Sequence, residues 1–344
     1  MSHQEPISED PLAEQRKMDH IDLAFKARIP AGLIDARFRY EPMLQGHPDA
    51  ATLVPFHFLD TEFRVPFWAS SMTGGTGKAG IINKNLAQAC REFGFGMGLG
   101  SCRQLLHSDQ HFEDFNLRPI IGADLPLFAN LGIAQVQELQ ARGEAHRIIS
   151  LIDKLKANGL ILHINPLQEW LQEEGDRYYM SPIETVQWLL SELNYPIIVK
   201  EVGQGMGPQS LRALLALPIA AIDFAAHGGT NFSQVEMLRK TSDEAHPFES
   251  IARIGHDANE MVQFVNEILA DPRAQINCRQ IIISGGIQNF LDAYYLLEKL
   301  QMPAVVGMAS GFLKYAQGDY AALQQFVADQ INGLALAKKM LTVV

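Results

Sequence analysis

From about Val65 onward, short apolar runs that end in polar or glycine-rich turns alternate with longer segments of helical period. The runs are VPFWASSM, FGFGMGLG, LPLFANLG, LILHINP, PIIVKEVG, AAIDFAAHGG, QIIISGG and PAVVGMAS, which makes eight strand candidates. Between them, Ile82, Leu86, Ala89 and Phe93 mark one apolar helix face, and Phe290, Tyr294, Leu297 and Leu300 mark another. Strand and helix in strict alternation predict parallel strands joined by helices, and eight such units make a TIM (β/α)8 barrel. An open doubly wound sheet competes, but it usually carries fewer strands and one diagnostic nucleotide turn. The pattern predicts an N-terminal extension over residues 1–64, a barrel over 65–344 and a long terminal helix from Tyr320 to Leu341.

Composition narrows the partners. With 28 Lys and Arg against 39 Asp and Glu, the net charge of −11 opposes nucleic-acid binding, although a few focused cations can still serve a small anion. Cys90, Cys102 and Cys278 are far apart and form no CxxC pair, so a reduced, cytoplasmic setting is expected. The N-terminus is acidic and polar with no targeting pattern, and the most apolar runs fall well short of the roughly 20 residues of a membrane span. A soluble protein is expected.

In a barrel, the chemistry sits at the C-terminal ends of the strands. Polar residues here fall at those ends: Ser70, Ser71 and Thr73; Ser101 and Arg103; Asn130; His163, Asn165, Gln168 and Glu169; Lys200 and Glu201; Asp223, His227 and Thr230; and Ser284. The turns IISGGI and GMASGF after the last two strands place small residues where backbone amides can receive a phosphate, which predicts a phosphorylated ligand. MTGGTGKAG is not a nucleotide P-loop, because Met72 and Ala79 occupy its required Gly and Ser/Thr positions. Lys200 follows a very apolar run, so its ammonium needs an anionic or electron-rich partner. A flavin ring edge, Glu201 and Asp223 all qualify.

At these residues the chain resembles type 2 isopentenyl-diphosphate delta-isomerase, an FMN-dependent barrel within the wider group of FMN-binding hydroxy-acid oxidases. The resemblance rests on RKMDHI, SSMTGG, GLGSCR, ANLG, LHINPLQEWLQEEGD, VKEVGQGM, DFAAHGGT, SGGI and GMASGFLK, in order from Arg16 across nearly the whole chain. It implies that Ser71, Met72, Thr73, Gly74, Ser101, Asn130, Lys200 and Thr230 surround the flavin ring and ribityl chain, with Gly285, Gly286, Ala309 and Ser310 at the FMN phosphate. It implies that Arg16, Lys17, Ser101, Cys102, Arg103 and Gln168 bind a diphosphate substrate, that His163, Asn165 and Gln168 are catalytic, and that Glu169 is a Mg²⁺ ligand. The activity so implied interconverts isopentenyl and dimethylallyl diphosphate. Reduced FMN would serve as acid and base, NADPH or NADH only as its reductant, and the protein would be a homo-oligomer, a tetramer or octamer.

The same residues have ordinary uses. Arg16 and Lys17 can be a solvated pair, Gln168 and Glu169 can cap a helix turn, and His163 can be a satisfied strand histidine. Three positions depart from the family pattern: Cys102 where Gln is usual, Gly207 where Ser is common, and His227 where a small residue is common. The oxidases carry HGGR at the sixth strand, with the His as base and the Arg holding a carboxylate. Here Thr230 stands in place of that Arg. An FMN-dependent 2-hydroxy-acid oxidase or dehydrogenase is the alternative enzyme, and a non-catalytic barrel binding FMN or a phosphorylated metabolite is the alternative outside catalysis.

Overall fold

The eight apolar runs pair into one closed parallel sheet in the computed structural model, which describes residues 12–49, 51–71, 77–178, 180–239 and 247–344. Its strands are β1 (Phe67–Ala69), β2 (Gly96–Gly98), β3 (Leu127–Gly132), β4 (Gly159–Ile164), β5 (Ile197–Glu201), β6 (Ala221–Asp223), β7 (Ile281–Ser284) and β8 (Ala304–Met308). Each pairs in parallel with its neighbour in the chain, and β8 closes the ring on β1 through Val306 and Phe67, Gly307 and Trp68, and Met308 and Ala69. A strand with both faces covered needs no polar alternation, and β3 is buried at every position. The expected barrel is therefore the fold observed.

Helices cover the ring. Of the two predicted stripes, Ile82, Leu86 and Ala89 are buried and Phe93 half-buried on the helix Gly77–Phe93, while Tyr294 and Leu300 are buried and Phe290 and Leu297 half-buried along the helix Phe290–Lys299 and its C-terminal flank. Helix starts carry their own signals: Asp257 accepts from the N–H of Glu260 at 2.9 Å while Glu260 reaches back to the N–H of Asp257 at 3.2 Å. The terminal helix runs Tyr320–Met340, started by Asp319. No helix of the described residues is long and apolar enough to cross a membrane.

The chain divides into two compact units, one running to Arg39 with Val344 added, the other Tyr40–Val343. In the first, the helix Ala13–Leu23 buries none of its residues. In the second, a hairpin of Phe56–Phe58 and Thr61–Phe63 precedes the barrel. Its turn residues Leu59 and Asp60 both have positive φ, 51° and 56°, the left-handed conformation that a two-residue hairpin turn demands. Phe58 and Phe63 are fully buried with ring centroids 5.5 Å apart, and the Leu59 N–H donates to Gln280 Oε1 at 2.9 Å, directly before β7. The hairpin is thus tied to the residue that leads into β7.

Gly159 opens β4 where three strands approach closely. A Cβ there would land on the Pro196 carbonyl and lie 2.6 Å from the Phe128 ring. The Pro196 carbonyl accepts from the Leu160 N–H at 3.0 Å and cannot retreat without loosening that bond, so Gly159→Ala is expected to destabilise the protein by about 1–3 kcal/mol, the usual cost of overpacking. The measurement is the denaturant midpoint at unchanged slope, and a wild-type midpoint would contradict the packing described.

Candidate active site

Because all eight strands run the same way, their C-terminal ends surround one cleft, of about 1000 Å³ counting its open mouth. Each strand or its following turn lines it: Ser70 and Ser71 from β1, Gly100 and Ser101 from β2, Asn130 from β3, and His163 and Gln168 from β4. Lys200 and Gly203 come from β5, Gly229 and Thr230 from β6, Ser284, Gly285 and Gly286 from β7, and Gly307, Ala309 and Ser310 from β8.

On one wall, the Asn130 side chain donates through Nδ2 to the Leu99 carbonyl at 2.9 Å, which leaves its Oδ1 2.8 Å from His163 Nδ1. An amide oxygen only accepts, so Nδ1 carries the proton and Nε2 is left as an acceptor. Burial, helped by the Lys200 charge, lowers the His163 pKa to about 4. The imidazole is therefore neutral near pH 7.

At the floor, β5 and β6 pair Lys200 with Asp223. Lys200 Nζ lies 3.4 Å from Asp223 Oδ2, while Asp223 Oδ1 accepts from the Ser284 hydroxyl. Glu201, one residue on, is committed elsewhere: its Oε2 accepts from the N–H groups of Gly203, Gln204 and Gly205 at 2.7, 2.7 and 3.0 Å. Burial still raises the Glu201 pKa against those three bonds. Of the carboxylate partners open to Lys200 in the sequence, the structure selects Asp223.

The third region is the turn after β4, which enters the short helix Pro166–Leu171. Asn165 Nδ2 donates to Gln168 Oε1 at 3.2 Å and to Glu169 Oε1 at 3.0 Å, and Glu169 Oε2 accepts from the Asp176 N–H at 2.8 Å. Gln168 Nε2 donates to the buried Glu236 at 3.0 Å, and Arg239 pairs with that carboxylate at 2.6 Å. Arg103 reaches Asp176 at 3.1 Å. Burial, together with the charges of Glu169 and Glu201, pushes the Tyr178 hydroxyl well above its ordinary pKa.

Four polar atoms at or beside the cleft are buried without a hydrogen-bond partner: Ser70 Oγ, Ser71 Oγ, Asn165 Oδ1 and Asp223 Oδ2. Orphaned polar atoms converging on a cleft suit a polar ligand. The turn after β7 is shaped for close approach. Gly285 has φ +92°, and a Cβ there would collide with the backbone of Ala226. The unpartnered Ser70 and Ser71 hydroxyls, the Lys200 ammonium and the glycine turn fit a phosphorylated ligand such as FMN.

Of the residues singled out in the sequence, Ser71, Ser101, Asn130, His163, Gln168, Lys200, Thr230, Gly285, Gly286, Ala309 and Ser310 line the cleft together. Asn165 and Glu169 are buried behind Gln168 and outside the lining. Cys102 is fully buried, its Sγ donating to the Gly100 carbonyl at 3.4 Å, with its pKa pushed up to about 12 by burial. Arg103 is held at Asp176, and Arg16 and Lys17 are exposed on the helix Ala13–Leu23 of the other unit. Met72, Thr73 and Gly74 lie outside the described residues. His227 is not part of the lining, and its Nε2 is 3.3 Å from the Ala252 carbonyl. Sequence reasoning missed Asp176, Glu236 and Tyr178. Their signal is weak, since each sits in a loop or on a helix side and meets its partner only in the fold.

No family model matches the chain. Among curated proteins it is 32% identical over 340 residues to the isopentenyl-diphosphate delta-isomerase of Deinococcus radiodurans, covering 96% of each chain. It is 33% identical over 319 residues to that of Rickettsia felis, covering 91% of this chain and 88% of the relative. Among solved structures it resembles a flavocytochrome b2 mutant with benzoylformate at TM-score 0.59 and 12% identity, covering 87% of this chain and 70% of that one. A mandelate oxidase mutant with (S)-mandelic acid matches at TM-score 0.54 and 12% identity, covering 90% and 87%. These two likenesses show the barrel fold alone.

The His163 environment has a pH consequence. Its folded pKa of about 4 lies below its ordinary 6.5, so the unfolded chain binds the extra proton between those values. The contribution is intact above pH 6.5 and is lost as pH falls toward 4, up to about 3 kcal/mol in all. Proton NMR should show the His163 ring titrating near 4, and a midpoint at or above 6.5 would refute the neutral, Asn130-bound ring.

Proposed function

The chain belongs to the isopentenyl-diphosphate delta-isomerase family, and on that premise we propose that it interconverts isopentenyl and dimethylallyl diphosphate with FMN bound in the barrel cleft. The observation that carries this reading is the convergence of Ser71, Ser101, Asn130, Lys200 and Thr230 with the Gly285–Gly286 and Ala309–Ser310 turns on one cleft. On this reading the two turns hold the FMN phosphate, and Lys200 offers its ammonium to the electron-rich edge of the ring. We include in the proposal NADPH or NADH as reductant, a homo-oligomer and a cytoplasmic setting.

Moving the double bond requires a proton gained at one alkene carbon and lost from another. Reduced FMN, when bound, supplies the proton-transfer chemistry that no side chain here is acidic enough to perform on an unactivated alkene. The chain's own residues bind and orient. Arg103 suits a diphosphate through bidentate bonds, and Arg16 and Lys17 are cations of the same kind carried by the first unit. Gln168 is held by Glu236 and Asn165, so its amide meets the substrate in one orientation. Neutral His163 presents an acceptor at Nε2 and adds no positive charge beside a carbocation-like centre.

Glu169 would hold Mg²⁺. Among the described residues no three His, Cys, Asp or Glu side chains group to enclose a metal. One carboxylate with water and diphosphate oxygens is a sufficient set for this ion.

Anaerobic incubation with isopentenyl diphosphate, FMN, Mg²⁺ and NADPH should yield dimethylallyl diphosphate carrying solvent deuterium, with one FMN retained per chain and no stoichiometric NADPH use. His227→Ala should lower the rate by much less than the roughly hundredfold loss of a general acid or base. Oxygen uptake with a 2-hydroxy acid, abolished by His227→Ala, would replace this reading with the oxidase. For the metal, Glu169→Gln should weaken Mg²⁺ and substrate dependence at least about tenfold while FMN affinity holds, in line with loss of a charge-assisted contact. Equal loss of FMN would make Glu169 a scaffold residue.

A further inference from the structure

Asp223 has no exposed surface, and its carboxylate sits beneath the cleft floor. A buried carboxylate is tolerated only with a counter-charge and hydrogen bonds. Ser284 provides the bond: its hydroxyl proton goes to Asp223 Oδ1 while its oxygen accepts from the Ala225 N–H at 2.9 Å, so its single proton is committed and its orientation fixed. Lys200 provides the charge at 3.4 Å from Oδ2. That separation is an ion pair without a hydrogen bond, and Oδ2 has no other partner. Among the described residues the Lys200 ammonium makes no hydrogen bond either, so its three donors are unspent beside the cleft it lines. The other nearby carboxylate, Glu201, is taken up by three backbone N–H groups.

We propose that Asp223 is a positioning residue: braced by Ser284, it anchors the Lys200 ammonium from behind so that the cation stays at the cleft floor with its donors turned to the electron-rich edge of the bound flavin. This rests on the reading that the cleft holds FMN. A lysine so buried escapes its desolvation by withdrawing toward solvent, and the adjacent fixed carboxylate opposes that withdrawal. The ion pair is then a holder for a ligand contact rather than a device for stability.

The test is a cycle of Asp223→Asn, Lys200→Met and the double variant in the full-length chain, with Ser284→Ala as a milder perturbation that keeps both charges. Three quantities are read: FMN dissociation constant by fluorescence quenching, midpoint potential of bound FMN, and melting temperature of the apoprotein. Asp223→Asn and Lys200→Met should each weaken FMN about tenfold or more, the worth of a charge-assisted bond, and the double variant no further than either alone. The potential should fall in both single variants, because each removes the cation from the ring, and fall less in Ser284→Ala. A potential that rises in Asp223→Asn would overturn the proposal, since it would mean that the ammonium stays in place without its anchor. Strictly additive losses of FMN affinity would overturn it as well. The apoprotein separates this failure from that of the functional reading. If the wild type takes up no FMN, the functional reading falls and the anchoring toward flavin falls with it, whereas wild-type FMN binding with additive melting shifts refutes the Lys200–Asp223 anchor alone.

Discussion

The pairing of β8 with β1 closes the sheet, and the placement of every functional group in the barrel depends on that closure. A parallel ring has no edge, and it has a direction, so every strand delivers its last residues to the same rim. Residues that are hundreds of positions apart, such as Ser71 and Ser310, become neighbours with no contact chosen for that purpose. The strands themselves can then be almost wholly apolar. Their chemistry is confined to the last rungs of the ladder, as at His163, Lys200 and Ser284.

That division of labour explains why the sequence is so informative about architecture. The eight runs announce themselves by apolar content and by the turns that end them, and all eight are strands of the ring. Cleft residues at strand ends, from Ser71 through Ser310, can be named because a strand end in a barrel has one destination. For Lys200 the sequence leaves a flavin edge, Glu201 and Asp223 open as partners. The two-residue period argues against Glu201, whose side chain leaves the opposite face of the strand, and the register with β6 brings in Asp223.

Other features are not readable. Glu236 and Asp176 lie on a helix and in a loop, with neither period nor turn chemistry to mark them, and they acquire meaning only by touching Gln168 and Arg103. The hairpin before β1 is hidden for a different reason. Its turn is Leu59–Asp60, without the glycine or asparagine that normally betrays positive φ, so in the sequence it reads as part of an extension. Cys102, expected at a substrate contact, is instead fully buried with its thiol on the Gly100 carbonyl, which nothing in the residue pattern marks.

The filled interior of the barrel has a kinetic meaning. The residues lining the cleft come from the C-terminal strand ends and the turns after them, and a barrel's interior below that rim is packed with side chains rather than hollow, so the cleft opens at the rim. A vessel with a single mouth imposes an order of traffic. Whatever settles deepest must arrive first and depart last, and whatever lies above it acts as its stopper. Two molecules sharing this cleft would therefore differ in residence time by position alone, the lower one exchanging only in the intervals when the upper one is absent.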